Sequence, residues 1–238
     1  MPPLAPLTTV LFDIDGTLLD SNEAHALSWA QTLRRHVHPV DVAQIRPLIG
    51  KGSDKLLAAL LGPRVDEALA KRLVDERREL FLKEHLPRLQ PTPGARALLD
   101  RLRQEGFQLV CATSAGGEEL QALLRQAGVQ GLFDDAATSS DAAQSKPDPD
   151  IVQAALRKAG VTPAQAVLVG DTPHDIEAAR AAQVDTIALR CGGCWSDDAL
   201  SGAVAVYDHP DDLLRHLGSS PLGQGAGLRS RPVAGSPG

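Results

Sequence analysis

The chain has 238 residues, room for one core or a core with a small second unit, and its 43% hydrophobic and 23% charged residues exclude a disordered or fibrous chain. A formal net charge of −6, with no cluster of Lys and Arg, argues against a nucleic-acid-binding surface, and no apolar run approaches the roughly 18 residues of a membrane span. The opening Met1-Pro2-Pro3-Leu4-Ala5-Pro6 lacks the basic and apolar regions of a signal peptide, so the expected setting is cytoplasmic.

The first predicted element is Thr8-Thr9-Val10-Leu11-Phe12-Asp13-Ile14-Asp15-Gly16-Thr17-Leu18-Leu19-Asp20. Its β-branched and apolar start reads as a buried strand, and Asp13 and Asp15 leave it at the end where an open parallel sheet presents its ligand crevice. Gly16 lets the chain turn away. Two carboxylates this close repel unless they share a cation or a proton. The pair therefore reads as a metal site, an acid/base couple or an Asx-rich turn.

The period then changes from strand to helix. Asp20 and Glu23 resemble a capping box opening a helix to about Arg35, and residues 42–49, 53–61 and 65–86 repeat apolar residues at three- and four-residue spacing. This predicts an inserted all-helical cap over residues 21–90. Leu89-Gln90-Pro91-Thr92-Pro93-Gly94 punctuates the return to a helix at 95–105. Strands at 107–112, 135–138, 166–169, 185–189 and 203–207 then alternate with helices at 117–127, 148–159, 173–182 and 211–217. That alternation predicts an α/β fold, a doubly wound (Rossmann-like) parallel sheet formed by residues 1–20 and 91–217. Residues 218–238 are rich in Gly, Ser and Pro and read as a disordered tail.

Three cysteines cannot all pair. Cys111 lies in an apolar run and reads as a buried, reduced thiol. Cys191-Gly192-Gly193-Cys194 reads as a glycine turn carrying thiols, with zinc or redox function as the alternative; a zinc site would need two further ligands, and no second Cys-x-x-Cys or paired His motif accompanies it.

Three later segments repeat the polar-after-apolar pattern of the opening element: Leu109-Val110-Cys111-Ala112-Thr113-Ser114, Ser145-Lys146-Pro147-Asp148-Pro149-Asp150, and Val167-Leu168-Val169-Gly170-Asp171-Thr172-Pro173-His174-Asp175. A parallel sheet would gather their carboxylates, hydroxyl and lysine beside Asp13 and Asp15, an inventory that suits phosphoryl transfer.

With these four motifs in order, Asp13-x-Asp15-Gly16-Thr17, Thr113, Lys146-Pro147 and Gly170-Asp171-x-x-x-Asp175, the chain resembles the haloacid dehalogenase superfamily, in the branch of phosphoglycolate phosphatase and β-phosphoglucomutase, over about residues 8–217. The resemblance implies that Asp13 is the nucleophile, forming an aspartyl-phosphate, with its other oxygen on Mg²⁺. It implies that Asp15 protonates the leaving alkoxide, then deprotonates water, and lends its carbonyl to the metal. Thr113 and Ser114 would hold a phosphoryl oxygen, Lys146 would neutralise nucleophile and phosphoryl group, Asp171 would ligate Mg²⁺, and Asp175 would ligate it or orient its waters.

Within that superfamily a second aspartate favours phosphate esters over halides, because an alkoxide leaving group needs a proton donor. No lysine lies in the first cap helix, where a phosphonatase would form its Schiff base. His25 fits mutases and phosphatases alike. In the cap loop Leu48–Lys55, Ser53 stands where the mutase has a phosphate-clamping arginine, although Lys51 and Lys55, the candidate substrate contacts, could do similar work. The expected activity is Mg²⁺-dependent hydrolysis of a small-molecule phosphate ester by a monomer or homodimer. A β-phosphoglucomutase-like phosphomutase is the alternative, and a non-catalytic phosphate-sensing protein the distant one.

Overall fold

The computed structural model describes residues 6–225. The first strand, β1, spans Thr9–Phe12. The chain then makes a helical excursion through α1 (Asn22–His36), α2 (Val42–Ile45), α3 (Ser53–Leu61) and α4 (Glu67–Leu80). It returns through α5 (Ala95–Gln104) to β2 (Gln108–Ala112), α6 (Gly117–Gln126), β3 (Asp135–Ala137) and α7 (Asp150–Ala159). The remainder is β4 (Ala166–Gly170), α8 (Pro173–Ala181), β5 (Asp185–Leu189), β6 (Ala205–Tyr207), α9 (Pro210–Arg215) and α10 (Pro221–Gly225).

The six strands form one sheet in the order β3-β2-β1-β4-β5-β6, and every pairing is parallel. The doubly wound Rossmann-like architecture expected from the sequence is the one found. A parallel sheet is buried on both faces, so its strands carry apolar side chains at successive positions. Val10 and Phe12 of β1, Leu109 and Cys111 of β2, and Val167 and Val169 of β4 join one apolar cluster with α5, α6 and α9. Leu11, Val110, Ala112 and Leu168 point the other way, against α7 and α8. Trp29, Leu33, Ile45, Leu56, Leu57 and Leu73 form a separate cluster within the helical excursion, so that unit has a core of its own. The chain leaves and re-enters the sheet side by side: Asp20 N–H donates to the Gln90 carbonyl at 3.1 Å, and Thr92 N–H to the Leu18 carbonyl at 3.1 Å. No helix among the described residues is long and apolar enough to cross a membrane.

Several expectations need correction. The Asp20–Glu23 capping box is not formed: Ser21 is the N-cap of α1, and Glu23 pairs with Arg46. The helix expected over 65–86 is α4 followed by a π turn at Phe81–His85. The disordered tail is corrected in its first part. Residues 221–225 form α10, and Leu222 is fully buried with Leu213 and Leu217, because this single leucine in the described part of the Gly/Ser-rich segment suffices to anchor it to the core. The rest of that tail lies outside the described residues.

Replacing Leu222 by Ala should therefore destabilise the protein by about 2–4 kcal/mol in urea unfolding, as for other buried leucines. A midpoint unchanged from the parent would contradict the placement of this segment in the core.

Candidate active site

In the sheet order, β1 lies between β2 and β4, where the winding reverses, and an open parallel sheet places its crevice at the carboxyl ends of such strands. Asp13 follows β1, Thr113 follows β2 and Asp171 follows β4. Asp175 stands on the first turn of α8, where Thr172 and Asp175 form a capping box. Lys146 enters from the loop before α7. It is 1% exposed, and its ammonium donates at 2.7 Å to each of Asp13 Oδ1, Asp175 Oδ1 and the Ala112 carbonyl. The other oxygen of Asp175 accepts from the Thr172 amide and hydroxyl.

Asp171 is held by Thr17 Oγ1 at 2.9 Å and Asn22 Nδ2 at 2.8 Å. Two glycines make room for its carboxylate. A Cβ on Gly16, which has φ +73°, would lie 2.3 Å from Asp171 Oδ2, and one on Gly192 would lie 1.8 Å from it. The Cys191-Gly192-Gly193-Cys194 segment is thus a glycine turn in the wall of the site, where the Cys191 thiol donates to the Gly16 carbonyl at 3.2 Å. Burial pushes the Cys191 and Cys111 thiols well up, and Cys111 is a buried free thiol as expected.

Oxygens of Asp13, Asp171 and Asp175 lie within 4.8 Å of one another. Burial raises the Asp13 carboxyl to about 7, with the charges of Asp175 and Asp15 adding to it and Lys146 opposing. Burial, then Asp175 and Asp13, raise Asp171 well above the carboxylate range. Asp175 also suffers burial, but Lys146 and Thr172 outweigh it and hold its carboxyl low. Three buried carboxylates thus face one ammonium, and hard oxygen donors in such excess fit a divalent cation.

Asp15 belongs to a different network. Ser21 Oγ donates to its Oδ1 at 2.6 Å, and His25 Nε2 lies 2.8 Å from the same oxygen. Burial alone would raise this carboxyl, but His25, Ser21 and Arg77 outweigh it and hold it below its usual value. On the far side of the imidazole, Arg77 Nη1 is 3.3 Å from Nδ1 and 2.7 Å from Glu119 Oε1. A guanidinium only donates, so Nδ1 is an acceptor, and the proton on Nε2 points at Asp15. Phe81, the first residue of the π turn, stacks on His25 at 4.0 Å, and Arg77 lies 5.3 Å over Trp29. The sequence reading passed over Arg77 and Glu119. The signal was there: Leu69, Leu73, Arg77 and Leu80 form one helical stripe, so Arg77 occupies an apolar position.

The two networks face a cavity of about 60 Å³, into which Asp13, Asp15, His25, Lys51, Thr113 and Ser114 project. Ser53, Arg77, Ser114 and Glu119 also border a neighbouring cavity of about 390 Å³. Lys55, expected as a substrate contact, lies outside the lining of the smaller cavity. It turns instead to the Ser145 carbonyl at 2.6 Å and to the Asp148 carboxylate, because both lie within reach of the first turn of α3.

Fold and site together define a capped hydrolase built on a Rossmann-like sheet. The sequence pattern of the haloacid dehalogenase-like hydrolases matches residues 10–189. A phosphoglycolate phosphatase of Rhodospirillum rubrum is 32% identical over 88% of this chain and 90% of its own length, and the pyrophosphatase PpaX of Bacillus velezensis is 29% identical over 89% and 93%. A solved structure from Bacteroides vulgatus, described as a candidate beta-phosphoglucomutase, superposes with a TM-score of 0.80 at 26% identity, covering 94% of this chain and 91% of that one. The chain belongs to the haloacid dehalogenase-like hydrolase family, and its enzymatic class is that of the phosphatases.

Gly192→Ala should be severe despite its small size. The methyl group must displace Asp171, and activity should fall by up to ~100-fold, the scale of an ångström misplacement. Parental kinetics would remove Gly192 from the support of that carboxylate.

Proposed function

We propose that the protein hydrolyses a small phosphate monoester through an aspartyl-phosphate on Asp13, with Mg²⁺ as cofactor. The observation that carries this reading is the Lys146 ammonium, shared between Asp13 and Asp175 inside an acidic cluster. Its charge lets an anionic carboxylate approach an anionic phosphoryl group. Asp13 keeps its second oxygen free of Lys146 for the attack or the metal. Thr113 and Ser114, on the cavity wall, would hold phosphoryl oxygens. Asp13, Asp171 and the Asp15 carbonyl would hold Mg²⁺, which when bound lowers the charge on the phosphoryl group. Asp175, both of whose oxygens are engaged, would act mainly by fixing Lys146.

Asp15 takes the proton work. Because its neighbours hold it ionised, it would take up the proton that a phosphate monoester monoanion brings, donate it to the leaving alkoxide and then accept one from the water that opens the aspartyl-phosphate. His25, steered by Arg77, keeps its Oδ1 in place while the proton moves at the other oxygen. Residues 21–90 serve as a cap on the core of residues 1–20 and 91–217. The cavity is lined by residues of the cap, such as His25 and Lys51, and of the core, such as Asp13 and Thr113, so opening of this cap would admit substrate and its closure would exclude water. Lys51 meets the part of the substrate beyond the phosphate. The named activities of the relatives, on phosphoglycolate and pyrophosphate, support a small phosphorylated metabolite. The Bacteroides likeness favours a second reading, a phosphomutase, but Ser53 in place of a clamping arginine supports hydrolysis.

Two assays decide. Para-nitrophenyl phosphate should be hydrolysed with Mg²⁺ and not after chelation, and Asp13→Asn should abolish turnover. No release with Mg²⁺, Mn²⁺ or Co²⁺, or an active Asp13→Asn enzyme, would overturn the reading. On β-glucose 1-phosphate, free phosphate should appear, whereas isomerisation without phosphate release would establish the mutase.

A further inference from the structure

The unexpected direction of Lys55 is one of three contacts between the same two segments. The first turn of α3 presents Asp54 and Lys55 to the loop Ser145–Asp148. Lys55 Nζ donates to the Ser145 carbonyl at 2.6 Å and pairs with Asp148, while Ser145 Oγ donates to Asp54 Oδ1 at 2.7 Å. The approach is close enough that a Cβ on Gly52 would lie 2.2 Å from Ser145 Cβ. Both contacted residues flank the Lys146-Pro147 step, and Lys146 reaches from there to Asp13 and Asp175.

We propose that Asp54 and Lys55 are positioning residues, a clasp by which the helical cap fixes the loop that carries Lys146. The proposal rests on the phosphatase reading above, because it gives Lys146 a catalytic task. No helix or strand holds this loop between the short turn at Ser139–Asp141 and the start of α7, and within it Asp148 N–H donates back to the Ser145 carbonyl at 3.1 Å. The far end of the lysine is held by carboxylates, and the near end by the clasp. Seating the cap therefore does two things at once: it encloses the cavity, and it sets the backbone from which Lys146 extends. Productive geometry is tied to closure without any contact between Lys55 and the substrate.

The clasp is separable from stability. The side chains of Lys55 and Asp148 are 24% and 48% exposed, and ion pairs of that exposure contribute little to folding. Displacement of the loop acts on the reaction, where misplacement by about an ångström costs up to ~100-fold.

The test is steady-state hydrolysis of para-nitrophenyl phosphate with Mg²⁺ by the full chain, with thermal melts alongside. Lys55→Met and Asp148→Asn should each lower kcat about tenfold, an intermediate loss on that scale, with the melting temperature unchanged. Lys55→Arg should recover most of the loss. The double variant Lys55→Met/Asp148→Asn should be no worse than either single, because both remove one contact. Parental kcat in the single variants, losses that multiply in the double, or a raised KM with kcat unchanged would overturn the clasp. The last result would make Lys55 a substrate contact. An inactive Lys146→Met enzyme beside a fully active Lys55→Met enzyme would overturn the clasp and leave the phosphatase reading standing, whereas an active Lys146→Met enzyme would overturn both.

Discussion

The acidic cluster at the edge of the sheet depends on one buried ammonium. Lys146 meets Asp13, Asp175 and the Ala112 carbonyl at 2.7 Å each, with about 1% of its surface exposed. Each of its three protons has an acceptor, which is what makes an interior charge tolerable, and removing one partner of such a pair typically costs 3–5 kcal/mol. The sheet supplies two of the three partners from adjacent strands, β1 and β2, and α8 supplies the third. Around this ammonium the negative charge is still in excess, and burial raises Asp13 and Asp171 accordingly. The same imbalance that would destabilise an empty core prepares a site for a cation and a phosphoryl group.

Two aspartates separated by one residue end in opposite environments. Asp13 faces Lys146 and the acidic cluster. Asp15 faces Ser21 and His25, which come from the start of the helical excursion, and through them Arg77 of α4 and Glu119 of α6. The Arg77–Glu119 pair, buried on both sides, links the helical unit to the helix that follows β2. With the Asp54, Lys55 and Ser145 contacts it joins the two units at two points, each next to a group of the proposed chemistry. Environment rather than residue type thus separates nucleophile from acid, and closure touches both.

The parts of this arrangement that lie at strand ends were legible in the sequence. Val10-Leu11-Phe12, Leu109-Val110-Cys111 and Val167-Leu168-Val169 are apolar because both faces of a parallel sheet are covered, so the polar residues after them had to meet at one edge. Side chains that reach the site from helices were harder to see. Arg77 sits among charged neighbours on α4 and looks solvated unless its place in the leucine stripe is weighed. Glu119 is separated from it by 42 positions, and nothing in a single sequence pairs them. Lys55 was noticed, but its direction depends on how the helical unit sits on the loop of Lys146, which periodicity does not encode. Leu222 was hidden by composition, since a Gly- and Ser-rich segment needs only a few apolar side chains to stay attached.

The most direct measurement is of the covalent intermediate. The enzyme, quenched during turnover of a phosphate ester with Mg²⁺ and reduced with borohydride, should carry homoserine at position 13 when its peptides are mapped by mass spectrometry, because an acyl phosphate is reduced where a free carboxylate is not. Conversion at Asp13 and at no other aspartate is the expected result. Turnover with conversion at Asp15, Asp171 or Asp175, or with none at Asp13, would contradict the role that the Lys146 contact assigns to it.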